Sequence, residues 1–244
     1  MASEYTLKDR NTVVLGASSG IGKAIAEALA AEGANLVLLS RKTESLSPLI
    51  TSLTRTHASI KVHPVQCDLT SDESMDRAAS DIGKLFNNTV HVLVNNAGVG
   101  GKSVNAIDAK WEDWELVLRT DLRGVMRFTT LILPYVKDIG RGSIINIASV
   151  AGRNPIARNV DYSAAKHGLV GFSLSLFEDI RELGIKVTAI NPGYVNTPLV
   201  DKVKGDKSKM IQPEDIAKTV VFVAKFPDTG CPTEITIRPQ RNIK

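Results

Sequence analysis

The sequence predicts an α/β protein built as a doubly wound parallel sheet with helices on both faces. Three observations carry that prediction. Short apolar runs alternate with helix-forming stretches along the whole chain, the pattern of repeated βαβ units. The first run is followed by a glycine-rich turn and a helix. The polar motifs fall just after predicted strands, where open α/β sheets gather ligands into one crevice.

Taken in order, Thr12-Val13-Val14-Leu15 reads as a buried strand. The turn Gly16-Ala17-Ser18-Ser19-Gly20-Ile21-Gly22 comes next, then the Ala-rich helix from Lys23. Glycines let a backbone turn tightly and let a phosphate approach the amides. The helix N-terminus adds unpaired N–H groups and a positive dipole end. A glycine-rich connection without a ligand gives the same letters; the strand before it and the helix after it favour nucleotide binding. Asn35-Leu36-Val37-Leu38-Leu39 closes the first βαβ unit. An acid at this strand end would serve a ribose 2′-hydroxyl, and arginine a 2′-phosphate. Ser40-Arg41-Lys42 stands there, which points to NADP(H). A solvated basic loop is the alternative.

A helix is expected from Thr43 to about His57. The strand Ile60–Cys67 contains Pro64, which suggests a sheet edge. Asp68-Leu69 lies at its end; Asp68 can reach an adenine or only shape the turn. After a helix from Asp72 to about Phe86, Val90–Val94 reads as a strand ending in Asn95-Asn96-Ala97-Gly98. Two amides and two small residues suit a wall packed against a ligand, though an Asn/Gly turn is common. Trp111 to about Lys137 reads as one long helix that Pro134 ends or kinks. Trp111, Trp114, Leu118, Leu122, Val125 and Phe128 recur on it as packing positions. Asp121 lies among them, with Arg119, Arg123 or solvent as its ordinary partners.

Gly142–Ser149 is the next strand and ends at Ser149. A helix from about Asp161 to Glu182 carries Tyr162 and Lys166. Residues four apart share a helix face, and a neighbouring ammonium favours the phenolate. By itself this pair is also the pattern of a surface lysine beside a half-buried tyrosine. Strand Ile185–Ile190 leads into Asn191-Pro192-Gly193-Tyr194-Val195-Asn196-Thr197-Pro198, a rigid turn. Residues 199–210 are polar and lysine-rich, reading as a mobile surface loop; its functional readings are a lid over the substrate (the substrate loop, about 194–212) or a basic docking surface for an acidic carrier, with plain solvation the more ordinary alternative. Gln212-Pro213-Glu214-Asp215 opens the last helix, and Glu234–Ile237 is a last strand.

The 244 residues are 43% hydrophobic and 23% charged, and carry a net charge of +4. One domain spanning 1–244 is expected, burying roughly 70–75% of its unfolded surface. The charge is too small, and the aromatics too scattered, to indicate a nucleic-acid surface. Cys67 and Cys231 have no metal-ligand or disulfide spacing, so no metal is expected and a reducing compartment is favoured. Met1-Ala2-Ser3-Glu4-Tyr5 begins no leader pattern, and no apolar run approaches a membrane span. A cytoplasmic protein is the default expectation.

Four motifs then carry a resemblance: Gly16 to Gly22; Asn95 to Gly98; Ser149 with Tyr162-Ser163-Ala164-Ala165-Lys166; and Asn191-Pro192-Gly193. In order and spacing they resemble the single-domain branch of the short-chain dehydrogenase/reductase family, over nearly the whole chain. The resemblance implies a three-layer Rossmann fold with a seven-stranded parallel sheet ordered 3-2-1-4-5-6-7. It implies hydride transfer between NADP(H) and a ketone or secondary alcohol. Ser149 would hold the substrate oxygen and Tyr162 transfer the proton. Lys166 would assist Tyr162 and bind the nicotinamide ribose, and Asp121 falls where the family has a catalytic asparagine. The cofactor set it implies is Gly16, Ser18, Ser19, Gly20, Ile21, Gly22, Arg41, Lys42, Asp68, Leu69, Asn95, Ala97, Gly98, Tyr162, Lys166, Pro192, Gly193, Val195 and Thr197. Val150 and Tyr194 join Ser149 and Tyr162 around the substrate.

The family further implies a homodimer or homotetramer. Leu15 replaces the threonine usual before the first glycine, and Cys231–Pro239 replaces a glycine-rich end. That C-terminus resembles the subgroup acting on small 3-hydroxy acids and related carbonyls. Asp121 also opens a second reading, an NADP(H)-binding sensor or scaffold with weak or no catalysis.

Overall fold

The computed structural model describes residues 5–201 and 203–243. The predicted absence of a leader in residues 1–4 lies outside them, as does Lys202 in the substrate loop. Seven parallel strands form one sheet in the order β3-β2-β1-β4-β5-β6-β7. They are β1 Asn11–Leu15, β2 Asn35–Ser40, β3 Val62–Gln66, β4 Val92–Asn95, β5 Gly142–Ile147, β6 Ile185–Pro192 and β7 Glu234–Ile237. The helices are α1 Gly20–Ala31, α2 Ser47–Thr56, α3 Asp72–Leu85, α4 Trp111–Leu118, α5 Gly124–Val136, α6 Val160–Ile180 and α7 Pro213–Lys225.

The central strands are apolar because both faces are covered. On one face Val14, Leu36, Leu38 and Val94 pack with α1, α2 and α7. On the other Val13, Leu15, Val37 and Leu93 pack with α3, α5 and α6. Alternate residues of one strand thus feed two separate cores. Pro64 sits on β3, an outer strand, where a missing N–H costs no inner ladder bond. α7 starts as the sequence indicates: Gln212 and Asp215 cap each other, with Pro213 at the first position.

The long helix predicted over Trp111–Lys137 is a correction. It is broken at Arg119–Arg123 by a π turn, not by Pro134, which lies inside α5. The Gly124 N–H donates to the Arg119 carbonyl, five residues back. One extra residue in the turn rotates α5 relative to α4 and carries Asp121 to the interior, fully buried. Gly124 is required there, since a Cβ would come within 2.5 Å of the Leu69 carbonyl oxygen. Trp111 is likewise no packing residue: it is 61% exposed, while Val125 and Phe128 are buried.

Candidate active site

The glycine turn leaves β1 with Gly16 at φ +79°, a left-handed conformation that costs other residues energy. The Gly16 and Ala17 N–H groups donate to the Leu39 carbonyl at 2.9 and 3.1 Å. Asn96 donates its side-chain amide to the Gly16 carbonyl at 2.9 Å. A Cβ on Gly22 would overlap that carbonyl, and one on Gly16 would press on Ala97. The turn and the β4 end are therefore packed backbone to backbone. Ser19 caps the start of α1 in extended conformation without a side-chain bond. The first N–H groups of α1 are thus left for an outside acceptor. Across the opening, a Cβ on Gly20 would lie 3.0 Å from Thr197. This cradle, open to an anion and floored by glycine, fits a dinucleotide pyrophosphate.

At the β2 end, Ser40 and Ser45 both donate to the Lys42 carbonyl, and Gln66 donates to the Arg41 carbonyl at 3.1 Å. The backbone is fixed while the Arg41 and Lys42 side chains stay exposed. Asp68 takes the turn-shaping role: its Oδ1 accepts from the Thr70 N–H and hydroxyl at 2.9 and 2.8 Å. Burial alone would raise the Asp68 carboxyl; those two bonds, together with the Arg41 and Arg119 charges, hold it below its usual range. Leu69 is buried beneath. Asn95 differs from expectation. Its side chain points into the helix layer, donating to Thr129 at 2.9 Å and Asn146 at 2.8 Å. Only its backbone faces the strand end, because successive strand residues alternate faces.

Ser149 lies two residues past the end of β5, which stops at Ile147 and not at Ser149 as predicted, and its Oγ accepts from the Ala151 N–H at 3.1 Å. Its own proton remains free to be donated. Lys166 extends from α6 and donates to the Ile147 carbonyl at 3.4 Å, two residues before Ser149. Its ammonium lies 5.5 Å from the Tyr162 ring centroid and 3.2 Å from Asp121 Oδ2. Tyr162 itself is half-buried. The second oxygen of Asp121 accepts from the Val99 N–H at 2.7 Å. Burial raises the Asp121 carboxyl and would by itself lower the Lys166 ammonium; attraction to Asp121, then to Tyr162, outweighs that and leaves Lys166 raised. Lys166 is thereby held charged beside Tyr162. The expected partners Arg119 and Arg123 are elsewhere. Arg119 donates to the Thr70 carbonyl and Arg123 to Asp72.

Pro192 ends β6, and Val195 is buried through its bridge to Ile211. Val150 begins the short turn after Ser149, and Tyr194 is 43% exposed. The substrate loop holds two short 3-10 turns, Pro198–Val200 and Lys207–Lys209, joined by a Lys207–Asp201 ion pair of 2.7 Å.

Asn96, read from the sequence as part of a ligand wall, donates to the glycine turn and locks it. Two further participants escape a reading of the sequence. Val99 gives no signal because its backbone N–H does the work. Asp161 precedes Tyr162, is 3% exposed, and accepts from the Tyr162 N–H at 2.8 Å. Among the described residues no helix is long and apolar enough to cross a membrane. No cluster of metal-binding type occurs among them either.

The short-chain dehydrogenase family model matches residues 10–208. An uncharacterized oxidoreductase of Staphylococcus epidermidis is 33% identical over 233 residues, 96% of this chain and 98% of that protein. One from Staphylococcus aureus is 32% identical over the same shares. Among solved structures, a metagenomic short-chain oxidoreductase in complex with NADP is 31% identical. Its TM-score is 0.84, over 97% of this chain and all of the other. A variant of actinorhodin polyketide ketoreductase with NADPH is 28% identical with TM-score 0.85, covering 95% and 96%. With sheet order, glycine turn and motif set in agreement, the chain belongs to the short-chain dehydrogenase family of oxidoreductases.

Proposed function

We propose that the protein is an NADP(H)-dependent oxidoreductase interconverting a ketone and a secondary alcohol, with Tyr162 as the general acid and base. The observation that carries this reading is the Lys166 ammonium. It is held between Asp121, the Ile147 carbonyl and the Tyr162 ring. A charge fixed there stabilises a phenolate and so eases proton transfer from Tyr162.

When bound, NADP(H) supplies or accepts the hydride. In the reducing direction the Ser149 hydroxyl donates a hydrogen bond to the substrate oxygen. Tyr162 gives that oxygen its proton and is left as phenolate beside Lys166. Asp121 acts through Lys166, and Val150 and Tyr194 flank the substrate. Arg41 and Lys42, exposed after β2, would meet a 2′-phosphate, which favours NADP(H) over NAD(H). The NADP and NADPH in the two similar solved structures support the same choice. The glycine turn, Asp68, Leu69, the Asn95–Gly98 backbone and Pro192, Gly193, Val195 and Thr197 complete the cofactor surface. We further infer a homodimer or homotetramer, supported by exposed apolar side chains such as Trp111 and Leu116 on α4.

A second reading, a sensor or scaffold that binds NADP(H) with little turnover, is favoured by one observation: Asp121 shares the charge Tyr162 needs. NADPH consumption with a panel of ketones, aldehydes and diketones separates the two. We expect turnover that Tyr162→Phe abolishes while cofactor still binds; near-normal reduction by Tyr162→Phe would sink the mechanism, and silence across the panel would favour the sensor.

A further inference from the structure

A groove of about 580 Å³ runs between the substrate loop and the C-terminal tail. Its walls are joined at both ends. At one end Gly193 N–H donates to the Ile237 carbonyl at 2.7 Å, and Ile211 N–H to the Tyr194 carbonyl at 3.0 Å. Both walls therefore hang from the segment just after β6. At the other end Asp206 N–H donates to the Ile243 carbonyl at 2.8 Å. The space is a trough between these two walls, and Ile211, which lines it, is tied to the Tyr194 backbone.

Its charges are unevenly satisfied. Asp206 accepts from the Ser208 N–H and hydroxyl at 2.9 and 2.7 Å and lies 3.8 Å from Lys209. Asp215 accepts from the Gln212 N–H at 3.1 Å and lies 3.7 Å from Lys218. Arg238 and Arg241 line the same trough and have no side-chain hydrogen bond or ion pair among the described residues. Elsewhere Arg123, Arg127, Arg141 and Arg153 each sit on a carboxylate. Two guanidinium groups left unpaired in one trough offer planar forks that match an oxyanion.

We propose that this groove seats the anionic end of the carbonyl substrate, a carboxylate or a phosphate monoester, on Arg238 and Arg241. The rest of that substrate runs past Tyr194 toward Ser149 and Tyr162. The assignment rests on the proposed carbonyl chemistry and names the class of substrate for it. An uncharged ketone reaches the same reacting groups without the second anchor, so it binds more weakly.

The test uses three carbonyl substrates of matched length: a 3-oxo acid, its methyl ester, and a phosphate-bearing ketone. In the unaltered protein the better anion shows a KM at least tenfold below the ester, and the two anionic arms tell carboxylate from phosphate. The double variant Arg238→Ala, Arg241→Ala raises that KM to the ester's value and leaves ester turnover unchanged. Equal KM for both anions and the ester, or an equal effect of the variant on all three, overturns the proposal. Tyr162→Phe separates the two readings, because it removes turnover of ester and acid alike without touching the groove. Should the unaltered protein reduce none of the three, calorimetric titration with glutarate and inorganic phosphate decides. Arg41→Ala serves as background to subtract the expected cofactor-phosphate site. Heat lost on removing Arg238 and Arg241 supports the groove; unchanged heat rejects it.

Discussion

The Lys166 ammonium lies 3.2 Å from the Asp121 carboxylate, with both side chains almost wholly out of solvent. A buried pair of this kind is costly to form and more costly to break on one side. Asp121→Leu leaves Lys166 as an unpaired buried cation. It should destabilise the protein by about 3–5 kcal/mol. Asp121→Asn keeps an acceptor for the Val99 N–H and should cost less. Urea unfolding of both variants measures the difference; equal losses would show that the hydrogen bond from the Val99 N–H contributes nothing.

The glycine turn allows a purely steric prediction. In Gly22→Ala the new methyl group meets the Gly16 carbonyl and the Asn96 amide. Neither can retreat, since that amide is already bonded to that carbonyl. Overpacking of this kind costs about 1–3 kcal/mol, and here it also shifts the surface a pyrophosphate would rest on. A lowered Tm together with weakened NADPH binding is expected, and a variant that loses neither contradicts the packing described.

Arg41 is exposed and its backbone is held by Gln66, so its side chain can change without disturbing the turn. Arg41→Ala should weaken NADPH by roughly 10–100-fold, the worth of one charged hydrogen bond, and leave NADH binding as it was. Fluorescence titration of both cofactors reads this directly. Parallel losses for the two would mean that Arg41 does not meet the 2′-phosphate.

Acid stability should depend on His91. The Asn11 N–H donates to its Nδ1 at 3.1 Å, and its Nε2 lies 3.2 Å from the Arg10 guanidinium. Donors face both ring nitrogens, so a second ring proton is disfavoured. Burial, with Arg10 adding to it, brings the ring down to about 4 from the usual 6.5. The unfolded chain thus binds more protons between those values, and stability falls as pH drops from 6.5 toward 4. The full shift corresponds to roughly 3 kcal/mol; a half-exposed ring leaves about 1–2 kcal/mol after screening. Chemical denaturation at pH 7 and pH 5 should show this loss, and His91→Gln should flatten it.

Much of the site is legible in the sequence. The βαβ alternation sets strands and helices closely, because apolar runs bounded by turn residues are a local signal. Ser149, Tyr162, Lys166 and the glycine turn stand out through fixed spacing. Asn95 reads as a wall residue, but its side chain turns into the interior, since a run of letters does not tell which face of a strand end a side chain takes. Asp121 stands out as a departure from the family, but its environment does not. A residue drawn on a regular helix is placed by 3.6-residue spacing, and one inserted residue in the π turn voids that count.

By itself, then, the sequence determined the layered α/β fold and the positions of the groups that can move a proton, while the strand order came only through the family resemblance. The first two rest on short-range periodicity and turn chemistry. Only the tertiary structure decided which partners those groups meet. It brought Asp121 to Lys166 across 45 residues of chain, and it closed a trough between the substrate loop and the tail, in which Arg238 and Arg241 have no side-chain partner among the described residues. Such pairings depend on where separate elements pack, and the cost of burying a charge selects the partner only after packing has set the distance.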